Sequence, residues 1–191
     1  EVIDNGLAIR RDGGYDAFVI ANSLEPGIVE LREMLDIPVI SFMEVSCFVA
    51  CTMGESFGLV VPTDKFVPRY REIVLGYGLR DRLSGIDALR VQNLRDFNTA
   101  FVDKAMDDTL MAQIVDSCRA VIATGAEVVI LPGPATAFLA VRGVFELDGV
   151  PLLDSYSLLV KYAEAMVGMH KLTGCHISRR RLYRAPPADL V

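Results

Sequence analysis

Val128-Val129-Ile130-Leu131 is an unbroken apolar run, rich in β-branched residues, and Pro132-Gly133-Pro134 stops it. It is too short for a core helix and reads as a buried parallel strand. Ala135-Thr136-Ala137 then opens a helix, so Glu127–Ala137 is a strand that ends in a turn and feeds a helix N-terminus. Backbone N–H groups at such a turn point beyond the sheet edge, where anions collect in α/β folds. The same construction stands at Tyr15–Gly27, YDAFVIANSLEPG. Each copy is followed by a helical segment and a second strand with the same entrance. That strand is Asp36-Ile37-Pro38-Val39-Ile40 in one copy and Asp148-Gly149-Val150-Pro151-Leu152-Leu153 in the other. The repetition implies an internal duplication, whose two strand ends are expected to face each other across one cleft.

Between and around these blocks the pattern keeps alternating. Helices are expected over 1–13 (closed by Gly13-Gly14), 28–35, 65–77, 107–124, 137–144 and 156–169, with a nearly all-apolar, buried helix over 43–53. Strands are expected over 17–21, 39–42, 57–61, 86–91 and 152–153. Pro62-Thr63-Asp64 reads as a turn and N-cap, 95–101 as a polar connection, and the tail after Gly174 as irregular. Alternation of this kind predicts an α/β fold built of two pseudo-symmetric parallel-sheet halves. The expected division is residues 1–54 with 155–191 in one half, and 57–153 in the other.

Composition narrows the partners. A chain of 191 residues, 52 % hydrophobic and 23 % charged, buries a good core as one domain or two small ones. A net charge of −6 and a pI near 4.9 argue against nucleic acid. The basic cluster Arg179-Arg180-Arg181 with Arg184 reads as a solvated tail. No apolar run reaches the roughly 18 residues of a membrane helix, and no signal-peptide pattern opens the chain. Four cysteines without a paired framework point to a reducing, cytoplasmic setting. Cys47 and Cys51 read as small buried hydrophobes on the apolar helix, Cys118 lies in the long helix and Cys175 in the tail; His170 and His176 read as surface residues. No phosphate loop, dinucleotide fingerprint, zinc spacing or nucleophile elbow is present, so no cofactor and no metal are expected.

YDAFVIA with its loop ending Pro26-Gly27, DIPVISFMEVS, FGLVVPTDKFVP, GAEVVIL and GVPLLDSYSLLVKYAEAM together resemble the aspartate/glutamate racemase superfamily. The likeness is greatest to its hydantoin racemase branch, which is related to arylmalonate decarboxylases and maleate isomerases. It covers nearly the whole chain. It implies two α/β halves with the active site between them, each strand-end loop supplying one cysteine, so that a thiol/thiolate pair moves a proton between the faces of a carbon acid. On this chain the two family cysteines fall on Asn22 and Gly133, neither of which exchanges a proton near neutral pH. Arylmalonate decarboxylases keep the second thiol and lack the first, so their pattern is not matched either. The resemblance also implies an opening strand–loop–helix unit, on the order of 30 residues, ahead of the helix in which Glu1 falls.

The remaining candidates are weighed by chemistry. Asn22 suits a ligand oxygen or a turn; Ser23 and Thr136 suit a carboxylate or enolate oxygen, or a cap. Pro134 and Ala135 line the second loop mouth. Glu44 either neighbours the site or matches a helix dipole. Asp154 and Tyr156, just past the last strand, are the best remaining proton-transfer groups, with helix capping the competing role for Asp154. The expected function is that of a racemase- or isomerase-family protein for a small carboxylate, amino acid or hydantoin-type derivative. A re-purposed small-acid binder and a non-thiol lyase are the alternatives. The expected partner is that small molecule, with no nucleic acid and no membrane; homo-oligomerisation stays open.

Overall fold

Strands that alternate with helices can pair in parallel only through crossovers, and parallel pairing dominates this chain. The computed structural model describes residues 1–91 and 93–187; residue 92 and residues 188–191, the end of the tail expected to be irregular, lie outside the described residues. The chain divides into two units, one of Glu1–Phe42 with the segment from Ser157 onward, the other of Met43–Tyr156.

The first unit opens with α1 (Val2–Asp12), ended by Gly13 at φ 65°. It continues with β1 (Phe18–Ile20), α2 (Ile28–Met34) and β2 (Val39–Ser41). β1 and β2 run parallel, Phe18 opposite Val39 and Ile20 opposite Ser41. Ile20, Leu31, Leu35 and Val39 form the core, with Val2, Ile3 and Ile9 packed on it. Gly6 lets α1 lie close to α2, because a Cβ there would run into the Leu31 side chain.

α3 (Phe42–Met53) leads into the second unit, followed by β3 (Phe57–Val61), α4 (Val67–Gly76), β4 (Leu83–Ala88), α5 (Asp96–Thr99) and α6 (Lys104–Ala123). Then come β5 (Val128–Ile130), α7 (Pro134–Val141), β6 (Glu146–Leu147), β7 (Val150–Leu153) and α8 (Ser155–Thr173), which runs on into the first unit. The sheet order is β4-β3-β5-β7-β6, parallel except for the β6–β7 hairpin. β5, the strand that ends at the first-named loop, sits at its centre and is buried throughout. α6 packs on β3, β4 and β5 through Leu110, Ile114, Cys118 and Val121.

Several elements depart from expectation, each for a local reason. The helix expected over 65–77 starts as a 3-10 turn at Asp64–Phe66 and becomes α4 only at Val67, with Pro68 in its first turn. Neither Asp64 nor Thr63 caps it through a side chain. The strand expected over 86–91 is Leu83–Ala88, a half-buried edge strand whose Ser84 and Gly85 disguise it. The connection 95–101 contains α5, with Phe97 buried. α7 begins at Pro134 instead of 137, since proline at a first helical position costs no hydrogen bond. α6 begins at Lys104, ahead of the expected 107, because Asp103 accepts from the N–H groups of Ala105 and Met106. β7 has four residues, paired to β6 across Asp148 (φ 52°) and Gly149 (φ 82°), the left-handed pair of a tight hairpin. α3 is not buried all round: Phe48 is 45 % exposed and its ring meets that of Tyr77 at a tilt.

The tail departs furthest. The Arg179 guanidinium donates to the carbonyls of Arg32, Glu33 and Leu35 at the C-terminus of α2 and pairs with Asp36. It is a cap for another helix, not part of a solvated run. The His170 and His176 rings meet at a tilt of 53°, centroids 4.4 Å apart, with His176 Nε2 buried.

Candidate functional site

Strand pairing fixes how the two blocks correspond. Ile40, two residues after Pro38, pairs with Val19; Leu153, two residues after Pro151, pairs with Ile130. Three residues on from Val19 is Asn22, and three on from Ile130 is Gly133. Asn22 and Gly133 therefore hold the same position in the two copies, just past the C-terminal end of a parallel strand.

In the second unit the mouth is made of backbone. Gly133 has φ 82° and ψ −150°, a conformation open almost only to glycine, and a Cβ there would lie 3.2 Å from Pro62 Cγ. α7 starts at the next residue, so its first N–H groups, those of Ala135 and Thr136, emerge at the strand end without intrahelical partners. Pro134 contributes shape and no donor. The Thr136 hydroxyl, 2 % exposed, donates to the Leu153 carbonyl at 2.9 Å. Its hydroxyl thereby fastens α7 to the end of β7, which leaves the backbone N–H as the polar group of Thr136 not used in that bond.

Because β5 and β7 are neighbours, Asp154 and Tyr156 follow the strand next to the one that carries Gly133. The structure thus brings Gly133, Pro134, Ala135 and Thr136 to the same sheet edge as Asp154 and Tyr156. Burial pushes the Tyr156 phenol above its ordinary pKa, so it stays protonated near neutral pH. Between them Ser155 is fully buried, and its Oγ has no partner among the described residues. The space below, lined by Leu131, Thr136, Leu139, Leu153 and Asp154, has no room for a water molecule. Glu44 lies in the first turn of α3, half-buried, where its charge matches the helix dipole.

In the first unit the mouth is a polar turn. Asn22 Oδ1 accepts from the Leu24 N–H at 2.9 Å, and the Asn22 carbonyl accepts from the Glu25 N–H at 3.0 Å. Asn22 is exposed and Ser23 is buried. Two features here were not anticipated from the sequence: Glu25 is 6 % exposed at φ 54°, and Ser41, at the end of β2, is fully buried with its Oγ unpartnered among the described residues. Ser41 closes β2, whereas Ser155 opens α8 two residues past β7, so no shared local pattern announces the two hydroxyls.

None of the four cysteines is at either mouth position. Cys47 and Cys118 are buried, and burial, reinforced by Asp87, pushes the Cys118 thiol up to about 12. Among the described residues no three His, Cys, Asp or Glu side chains stand where they could hold a metal ion, and no helix is long and apolar enough to cross a membrane.

Comparison with known proteins closes on the same architecture. The family profile described as Asp/Glu/Hydantoin racemase matches residues 3–163. A hydantoin racemase of Pseudomonas sp. (strain NS671) is 30 % identical over 175 residues, which are 91 % of this chain and 65 % of that protein. The chain thus spans just under two thirds of that relative's length. Among solved structures, the allantoin racemase from Klebsiella pneumoniae superposes with a TM-score of 0.81 at 22 % identity, over 97 % of this chain and 72 % of its own. The allantoin racemase from Pseudomonas fluorescens gives 0.77 at 25 % identity, over 97 % and 77 %.

Proposed function

The chain belongs to the Asp/Glu/hydantoin racemase family, and on that footing we propose that it binds a small carboxylate, amino acid or hydantoin-type derivative at the α7 mouth and does not racemise it by thiol chemistry. The observation that carries this reading is Gly133 with the helix start beside it. Free N–H groups at a helix N-terminus favour a carboxylate or a developing enolate oxygen, and in a water-poor site such donors stabilise charge strongly. The names of the hydantoin and allantoin racemases supply the substrate class.

Two-base racemisation needs an acid on one face of the carbon and a base on the other, each within about 3 Å of its proton and with a pKa near the working pH. Asn22 offers an amide and Gly133 only backbone. A serine would need a neighbouring base to act. Each missing general acid or base typically costs about 10²–10⁴ in rate, so two together leave binding and oxyanion stabilisation. Asp154 is the group best situated to act as a substitute base. A cytoplasmic setting and independence from cofactors belong to the same proposal.

The test is incorporation of solvent deuterium at the α-carbon of amino acids and 5-substituted hydantoins, read by NMR beside ligand binding by calorimetry. Binding with negligible exchange is the expected result, and iodoacetamide leaves it unchanged. Fast exchange that Asp154→Asn abolishes would assign the chain a one-carboxylate mechanism instead. Exchange lost on alkylation of any cysteine would overturn the proposal outright.

A further inference from the structure

α6 turns one face, Gln113, Asp116, Ser117 and Ala120, toward the end of β4, where Asp87 and Arg90 complete a pocket of about 350 Å³. Asp116 and Ser117 each lie three or four residues from both Gln113 and Ala120, so the four share one side of the helix. β4 is the sheet's edge, with no strand on its outer side among the described residues, so the pocket opens beside an edge strand. Its volume is that of a small-ligand site, and its lining is polar.

The polar groups are not used up by the fold. Gln113 Oε1 is shielded from solvent yet has no hydrogen-bond partner among the described residues. Oxygen and nitrogen of that amide are interchangeable by a flip, and either way one buried polar atom is unsatisfied. Buried polar groups are normally paired, so each exception calls for an explanation. Arg90 is exposed and makes no hydrogen bond or ion pair among the described residues. Asp87 and Asp116 bring negative charge, and Ser117 a hydroxyl that is 8 % exposed.

One cation and two carboxylates around a neutral amide make a pocket of mixed sign. A divalent metal would lack a third His, Cys, Asp or Glu ligand here, and Arg90 would repel it. A simple anion would meet two carboxylates. We propose that this pocket binds a small zwitterion, a molecule with an ammonium and a carboxylate on neighbouring atoms such as a free α-amino acid. Its carboxylate lies on Arg90 and its ammonium among Asp87, Asp116 and the Gln113 amide oxygen. The site is separate in sequence and in the sheet from the α7 mouth, on the edge strand and not the central one.

Calorimetric titration of the full chain with L-alanine tests it, with acetate and methylamine as half-ligands. Alanine is expected to bind at least tenfold more tightly than either half. Arg90→Ala and Gln113→Leu are each expected to weaken alanine at least tenfold, with Arg90→Lys restoring part of the loss. Thermal unfolding alongside shows that the variants fold, as an exposed arginine and a half-exposed glutamine allow. Alanine binding that ignores both substitutions, or equal binding of acetate, overturns the proposal. So does an absence of binding together with a dimer that Arg90→Glu splits, which would make the groove an interface between copies. Neither residue belongs to the α7 mouth, so failure here leaves the proposed function standing, and failure there leaves this pocket.

Discussion

The strand–loop–helix–strand block occurs once in each unit, and its two copies share a register while differing in chemistry. After β1 the chain makes a loop of seven residues, 21–27, before α2 begins, folded on itself by the Asn22 side chain. After β5 only 131–133 intervene, and α7 starts at the strand end. One mouth is a polar turn and the other a helix N-terminus. A duplication preserves strand pairing because the hydrophobic core enforces it, whereas the loop beyond the strand answers to no such constraint. The helices diverge in the same way. α2 is capped at its C-terminus by Arg179 from the distant tail, α7 by Arg142 at its own end, which donates to the Phe138 carbonyl and pairs with Asp107.

The largest expected effect tests how α7 is anchored. Phe138 is 1 % exposed, meets Phe97 edge-on at 5.8 Å, and carries the Arg142 guanidinium 3.6 Å above its ring. Phe138→Ala should cost about 3–5 kcal/mol and Leu31→Ala, on the buried face of α2, about 2–5 kcal/mol. Urea unfolding measures both. A loss near 1 kcal/mol at Phe138 would mean that α7 is held by its hydrogen bonds and not by its core face.

Next come the two arginine caps. Arg142 and Asp107 are mostly shielded, with 19 % and 30 % of their side chains exposed, so Arg142→Ala should cost about 1.5–3 kcal/mol, the range for hydrogen bonds to charged groups. The Arg179 side chain is 30 % exposed and its ion-pair partner Asp36 is 89 % exposed, so Arg179→Ala should cost less, about 1 kcal/mol. Equal losses would erase the distinction between a local and a borrowed cap.

The mouths themselves follow. Gly133→Ala forces a side chain into a glycine-only conformation and toward Pro62, and should cost about 1–3 kcal/mol. Asn22→Ala gives up one exposed turn hydrogen bond, below about 1 kcal/mol. The asymmetry has a practical consequence: a cysteine is tolerated at 22 but strained at 133. An Asn22→Cys, Gly133→Cys double variant is therefore expected to lose stability mainly through position 133. A Gly133→Ala variant as stable as the parent would show that the loop can relax and that this asymmetry is false.

The duplicated block was legible in the sequence because Pro38 and Pro151 mark the same step of two apolar strands, and the family was legible from the motifs around it. β3 at 57–61 was read to the residue because an all-apolar run leaves no choice of boundary. β4 was misplaced because an edge strand need not be apolar. The β6–β7 hairpin was missed even though Asp148-Gly149 is its turn signal, since two residues of strand leave almost no periodicity. In the site, the mouth positions came from pattern, but the commitment of the Thr136 hydroxyl to Leu153, the burial of Glu25 and the orphaned Ser41 and Ser155 hydroxyls are tertiary facts. No local signal distinguishes a hydroxyl that caps from one that waits. Arg179 was misread for the same reason: its partners lie far back in the chain, on α2.

The smallest expected effect sharpens the contrast at α2, whose cap comes from a segment that titrates. Burial lowers the His176 pKa from the usual imidazole range near pH 6.5, with His170 and Arg179 adding repulsion and Asp36 and the Leu35 carbonyl opposing them. A base whose folded-state pKa is depressed binds its proton more readily in the unfolded chain. Stability is therefore complete above about pH 6.5 and falls as pH drops from there toward the lower folded value, below which the loss is constant. Asp36 and the Leu35 carbonyl offset part of the lowering, so the change is modest. Urea midpoints of the parent and of His176→Asn, compared between about pH 7.5 and 5.5, should converge as the pH falls, since only the parent carries this proton linkage. α7 has no histidine at its cap, so Arg142→Ala should shift the midpoint by the same amount at both pH values. If His176→Asn leaves the pH slope of the parent intact, the tail is not the titrating cap. The difference between the two helix ends would then be one of distance along the chain alone.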